Sequence, residues 1–194
     1  MKRQAYLFIL ALLILPAAKG QTISFYRENV VMQLDSAHCY VVADLYFRNN
    51  SAKPASQTVY FPYSCHSRVV KVDTISIVDN SNGSNIRISK KIIAGVIFEL
   101  PFAASEQKKI KVTYAQDHNG QSAGYVLTKV KYYYAPLSQA NYTLFINDPN
   151  IKFDSATYKP DNITTEEGRQ KYSWHKSNFN PRNELCIYFH TITP

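Results

Sequence analysis

The chain has 194 residues, a formal charge of +8 at pH 7 and three cysteines. That length supports one sizeable core and is marginal for two, and three cysteines are too few for a disulfide-built scaffold. The tight basic clusters are only Lys90-Lys91 and Lys108-Lys109, which excludes the dense cationic surface expected of a nucleic-acid binder.

Residues 1–20 read as a secretory signal peptide. Lys2 and Arg3 form a basic start, Leu7 to Leu15 is an apolar run, Pro16 breaks it, and Ala18-Lys19-Gly20 places small residues at the cleavage positions. The run is shorter than the ~20 apolar residues of a membrane span. An uncleaved anchor helix is the competing reading. Removing Lys2, Arg3 and Lys19 lowers the formal charge from +8 to +5. That balance fits loose attraction to an anionic surface or polymer. Residues 21–194 are therefore expected to be exported, secreted or periplasmic, with no membrane span. They are expected to form one β-sandwich domain, with a subdomain break conceivable near 115–124 where Gly, Asn, Gln and Ser cluster.

Beyond the leader the dominant period is two. Cys39, Val41, Ala43, Leu45 and Phe47 alternate with Asp44 and Arg48, the pattern of a half-buried strand. Asn49 to Pro54 reads as a loop. Val69 to Val78 and Lys91 to Leu100 are strand-like in β-branched content. Asp79 to Ser84 is a turn, Lys109 to Tyr114 alternates, and Asp117-His118-Asn119-Gly120 carries an Asn-Gly suited to a hairpin. Tyr142, Leu144 and Ile146 form a further strand that stops at Asn147-Asp148-Pro149-Asn150. Turns are expected at Lys159 to Asn162 and at Asn180 to Asn183. The opening Thr164-Thr165-Glu166-Glu167 predicts one capped helical turn over 164–171, and Leu185, Ile187 and Phe189 make a last strand. Turn signals every ~8–15 residues without a long helical period predict an all-β fold. We expect an antiparallel β-sandwich of about ten to twelve strands with little helix.

The stretch Lys129-Val130-Lys131-Tyr132-Tyr133-Tyr134-Ala135-Pro136 draws attention for its three tyrosines. As a regular strand it places Val126, Thr128, Val130, Tyr132 and Tyr134 on the core face. Leu127, Lys129, Lys131 and Tyr133 fall on the wetter one. Pro136 ends the pairing. On this reading Tyr133, Lys129 and Lys131 are the candidate ligand-binding residues, with Asn49 to Lys53 as loop alternatives. A stacking platform for a sugar or single-stranded nucleic acid is the competing use of the tyrosines.

Nothing in the chain matches a nucleophile elbow, a zincin helix or a phosphate loop. His38-Cys39 and Cys65-His66 are adjacent pairs, and Cys186 lies four residues before His190. Adjacent strand residues point to opposite faces, so each adjacent pair offers one good ligand, and no metal site or other cofactor is expected. A disulfide between two of the three cysteines is expected, of unassigned pairing, with a buried thiol as the other fate of Cys39. Asn49, Asn82, Asn141 and Asn162 head glycosylation sequons.

One pattern resembles known families. Val41 to Asn50 followed by Thr58-Val59-Tyr60-Phe61-Pro62-Tyr63 is a strand ending in Asn, a loop, and a strand ending in Phe-Pro. It resembles the N-terminal part of the vault/inter-alpha-trypsin (VIT) domain and the exported bacterial family called domain of unknown function 4424. Tyr134-Ala135-Pro136, Trp174, and Asn178-Phe179-Asn180-Pro181 before a final strand fit the latter. The resemblance implies an exported β-sandwich with no known catalytic residues. The resulting expectation is a non-enzymatic binding or structural module of the cell envelope, recognising a protein or surface polysaccharide and no nucleic acid. The alternative is a carbohydrate-active or metal-dependent enzyme.

Overall fold

The computed structural model describes residues 22–63, 71–118, 120–133 and 135–192, without the side chain of Asp73. The expected leader, Cys65, His66 and Tyr134 lie outside the described residues. In chain order the strands are β1 (Ile23–Leu34), β2 (His38–Asn49), β3 (Ala55–Pro62), β4 (Val72–Asp79), β5 (Ser84–Asn85), β6 (Ile88–Ile92), β7 (Gly95–Phe102), β8 (Gln107–Asp117) and β9 (Ser122–Tyr125). A 3-10 helix (Thr128–Tyr133) follows, then β10 (Leu137–Ile146), β11 (Ile151–Ala156), β12 (Asn162–Glu166), β13 (Arg169–Phe179) and β14 (Leu185–Thr191). The all-β sandwich expected from the two-residue period is present, with fourteen strands among the described residues where ten to twelve were expected.

Eight strands form one large sheet in the order β12-β13-β10-β1-β2-β8-β4-β5. Two three-stranded sheets, β11-β14-β9 and β3-β7-β6, cover one of its faces. Aromatic contacts join the layers. Phe61 of β3 meets Tyr114 of β8 at 5.9 Å, Tyr125 of β9 meets Tyr142 of β10 at 6.3 Å, and Phe153 of β11 stacks on Tyr172 of β13 at 4.2 Å. Residues on both sides of 115–124 belong to one continuous hydrophobic core. The pairing is antiparallel throughout except between β1 and β10, which run parallel.

β1 occupies the middle of the large sheet, between β10 and β2. Its alternation is broken by a bulge: Phe25 pairs with Phe47 while Arg27 pairs with Tyr46, so Tyr26 is an extra residue. The buried parity therefore changes from Ile23 and Phe25 to Glu28, Val30, Met32 and Leu34. The β1–β2 turn is held locally. Asp35 Oδ1 accepts hydrogen bonds from the backbone N–H of Ala37 (2.9 Å) and His38 (2.7 Å).

Four expectations are corrected. Residues 128–133 are a 3-10 helix, not a strand. At 3.0 residues per turn, Leu127, Val130 and Tyr133 fall on one side and are all buried, while Tyr132 is 58% exposed. The core and surface tyrosines are thus interchanged. Residues 164–171 are not helical. They belong to the β12–β13 hairpin, whose turn residues Glu167 and Gly168 have φ of 53° and 77°, as a type I′ turn requires. The run Lys91 to Leu100 contains a hairpin turn at Ile93-Ala94 between β6 and β7. The expected Asp117 to Gly120 hairpin, of which Asn119 lies outside the described residues, does not join β8 to β9, since β8 lies in the large sheet and β9 in a covering sheet.

At the β6–β7 turn the backbone approach is close. A Cβ on Gly95 would lie 2.5 Å from Tyr60 Cε2 and 2.6 Å from the Phe61 carbonyl oxygen. The ring can swing aside, but the carbonyl is fixed by the β3–β7 ladder. Gly95→Ala is therefore expected to destabilise the protein by about 1–3 kcal/mol in urea unfolding followed by circular dichroism.

Candidate functional site

Of the residues singled out in 129–133, Lys129 and Tyr133 lie inside the protein, in separate contacts. The bulge in β1 turns Glu28 into the core, where it is 0% exposed. The 3-10 helix lowers Lys129, 3% exposed, onto it from the covering layer, with Nζ 2.9 Å from Glu28 Oε2. Tyr125 donates to Glu28 Oε2 at 3.1 Å and Tyr142 to Oε1 at 2.6 Å. Lys129 also donates to the Val126 carbonyl at 2.7 Å and sits 4.1 Å above the centre of the Tyr125 ring. Burial pushes the Lys129 ammonium below its ordinary pKa, opposed by Glu28. Burial and then the Glu28 charge push both phenols well above theirs.

Glu184, just before β14, caps the start of this helix. Its Oε2 accepts the N–H of Leu127 at 2.5 Å and of Thr128 at 3.0 Å, and its Oε1 accepts the Thr128 hydroxyl. Every group in the cluster has a partner, as a buried ion pair requires. The arrangement pins the helix to the large sheet.

Tyr133 is likewise interior, against Phe25 at 5.3 Å and Phe47 at 5.7 Å. Lys131 alone of the three candidates is exposed, beside a hollow of about 210 Å³ lined by Val130, Ala135, Pro136 and Asn180. The wet strand face formed by Tyr133, Lys129 and Lys131 therefore does not exist. The loop alternative loses Asn49, which is 1% exposed. Its amide donates to the carbonyls of Lys53 and Ala103, both at 2.8 Å, and its oxygen accepts from Ser51 N–H.

The Cys and His residues are dispersed. His38 lies 3.4 Å from Asp117 and His190 lies 2.7 Å from Asp154. Among the described residues no group of three His, Cys, Asp or Glu side chains is placed to hold an ion. The Cys39 thiol is buried and unbridged, and desolvation raises its pKa to about 12.

Among the described residues, a surface feature with the geometry of a binding site lies at one edge of the sandwich. A cleft of about 520 Å³ opens between the β10–β11 loop, β11 and the β12–β13 hairpin. Its floor is apolar: Ile146, Ile151, and the Phe153–Tyr172 pair, stacked at 22° between ring planes. Its rim is polar: Asn147, Asp148, Lys152 and Gln170. An apolar floor with a few polar groups is the usual chemistry of a ligand cleft. Asp148 is held by accepting the Asn150 N–H at 2.8 Å, and Lys152 donates to the Pro149 carbonyl at 3.1 Å. Ile163 pairs with Tyr172 across the hairpin, so it shares that face, and it is 56% exposed. β12 is the outer strand of the large sheet, paired only with β13, and all five of its residues are exposed. The sequence reading missed this site. Its only local signal is the Ile151, Phe153 alternation after the Asn147-Asp148-Pro149-Asn150 turn.

No family model matches the chain, and no curated protein matches it in sequence. Among solved structures it is similar to a protein from Legionella pneumophila described as a "putative nutrient binding protein". That likeness covers 89% of this chain and 68% of the other at 13% identity, with a TM-score of 0.72. It is also similar to an M1 zinc metallopeptidase from Deinococcus radiodurans. There the match covers 88% of this chain but 42% of the other at 11% identity, with a TM-score of 0.48. The chain thus spans less than half of the peptidase. The first likeness establishes a shared fold.

Two outcomes follow from this geometry. Lys129→Met strands a buried carboxylate and should cost about 3–5 kcal/mol in chemical denaturation, while adding Glu28→Gln should recover part of the loss. Alkylation of the native protein near pH 8 should leave Cys39 unmodified, with the Cys39 peptide labelled only after denaturation, because a thiol raised to about 12 is not ionised there.

Proposed function

We propose that this chain is an exported, non-enzymatic binding module of the cell envelope or extracellular space. It recognises a protein or surface polymer through the cleft at the open edge of the sandwich. The observation that carries this reading is the stacked Phe153–Tyr172 floor, continued by exposed Ile163 and bordered by β12, which pairs with β13 on one side and ends the large sheet on the other. The rings and Ile163 supply apolar contact, the rim supplies orientation, and the free edge of β12 offers backbone donors and acceptors to an extended segment. The signal-peptide pattern of residues 1–20 supports export, and the fold shared with a protein described as nutrient-binding supports a binding role. Among the described residues no helix is long and apolar enough to cross a membrane.

The test is pull-down of the purified protein on envelope polysaccharide and on envelope protein extract, with the Ile163→Lys variant in parallel. Ile163 is exposed, so the melting temperature should not move, whereas a charge beside Tyr172 should weaken capture by about tenfold or more. Undiminished capture by Ile163→Lys at the same melting temperature would remove the cleft as the binding site.

A further inference from the structure

Both covering sheets pack on the same face of the large sheet, which leaves its other face to solvent. That outer face carries a band of cations laid over tyrosines. The guanidinium of Arg27 lies 4.9 Å from the centre of the Tyr46 ring, and Lys109 Nζ lies 5.6 Å from it. Arg48 lies 4.8 Å from the centre of the Tyr26 ring, and the two rings are 6.3 Å apart. Cross-strand pairing explains the arrangement. Arg27, Tyr46 and Lys109 occupy one row across β1, β2 and β8, and Asn29, Asp44 and Lys111 occupy the next. The bulge at Tyr26 adds its ring to the first row.

We infer that this face binds an acidic polysaccharide, with Arg27, Arg48 and Lys111 receiving its carboxylates. Asp44 is the single acid within the band, against four cations, and it is engaged by Lys109 at 2.8 Å. Arg27, Arg48 and Lys111 form no ion pair with any described residue. A guanidinium lying on a phenol ring is held flat, which orients its N–H edge for a two-pronged contact with a carboxylate. The cations of β1 and β8 stand roughly 10 Å apart across β2, a spacing that suits a repeating chain of charges rather than one small anion. The flanking amide of Gln139, beside Arg27 in the next strand, suits a sugar hydroxyl, while Asn29 and Asn141 are tied to Tyr46 and to each other.

The same features disfavour other polyanions. The rings of Tyr26 and Tyr46 are already covered by guanidinium groups, so bases find no free platform. The band lies on β1, β2 and β8, each paired on both sides, so a peptide finds no strand edge there. The site is on the face opposite the cleft and stands independently of it.

The experiment is biolayer interferometry of the purified protein against polygalacturonate, with dextran as the neutral sugar and oligo(dT) as the non-sugar polyanion, at low and high salt. Polygalacturonate should bind at low salt and weaken as salt rises, and dextran should not bind. The double variant Arg27→Gln/Arg48→Gln should weaken binding about tenfold, and Lys111→Glu should do the same, at unchanged melting temperature. Lys90→Gln/Lys91→Gln, exposed on β6, should bind as the parent does. The inference is overturned by absent binding at low salt, by oligo(dT) binding as tightly as polygalacturonate, or by the β6 variant losing as much as the Arg27/Arg48 variant. Unchanged binding by the Arg27/Arg48 variant would overturn it equally.

Discussion

A carboxylate with no exposed surface organises this protein. Glu28 has Lys129 on one oxygen together with Tyr125, and Tyr142 on the other. Burying an ion is costly unless it is paired and its remaining lone pairs are used, and here both conditions are met by three separate segments of the chain. The 3-10 helix must stand over β1 for Lys129 to arrive. Glu184 must cap that helix for its first N–H groups to be satisfied. β9 and β10 must flank the position for the two phenols to reach it. One bulge in β1 sets all of this in motion, because without the extra residue Glu28 would face solvent.

The same bulge divides the protein's labour between faces. Inward, it supplies the charge that ties the covering layer to the large sheet. Outward, it places Tyr26 and Arg27 side by side and begins the cation–tyrosine band. Bulges commonly re-aim side chains in this way. The cleft arises from a different cause. Towards β12 the large sheet continues beyond β13, and β11 ends the covering sheet, so the edge of the sandwich stays open over the Phe153–Tyr172 stack. Core, cleft and outer band are therefore consequences of how layers of unequal width are assembled.

The sequence by itself determined the class of the fold. Cys39 to Phe47, Lys109 to Tyr114, Tyr142 to Ile146 and Leu185 to Phe189 alternate because each strand has one dry face, and period two is local information. The turns at Asp79 to Ser84 and Asn147 to Asn150 were legible because Asn, Asp, Gly and Pro carry their backbone preferences with them. β1 was not legible, since its parity changes at Tyr26 and its core position 28 is a glutamate. The 3-10 helix was hidden for a similar reason. Its three-residue period, Leu127, Val130 and Tyr133, spans too few residues to stand out against a two-residue reading of the same stretch. What only the tertiary structure decided is every pairing distant in sequence: Glu28 with Lys129, Phe153 with Tyr172, Arg27 with Tyr46. A charge is buried or exposed according to whether a partner arrives from elsewhere in the fold. No local pattern around Lys129 carries that information, and so a lysine that looked like surface is the core's fastening.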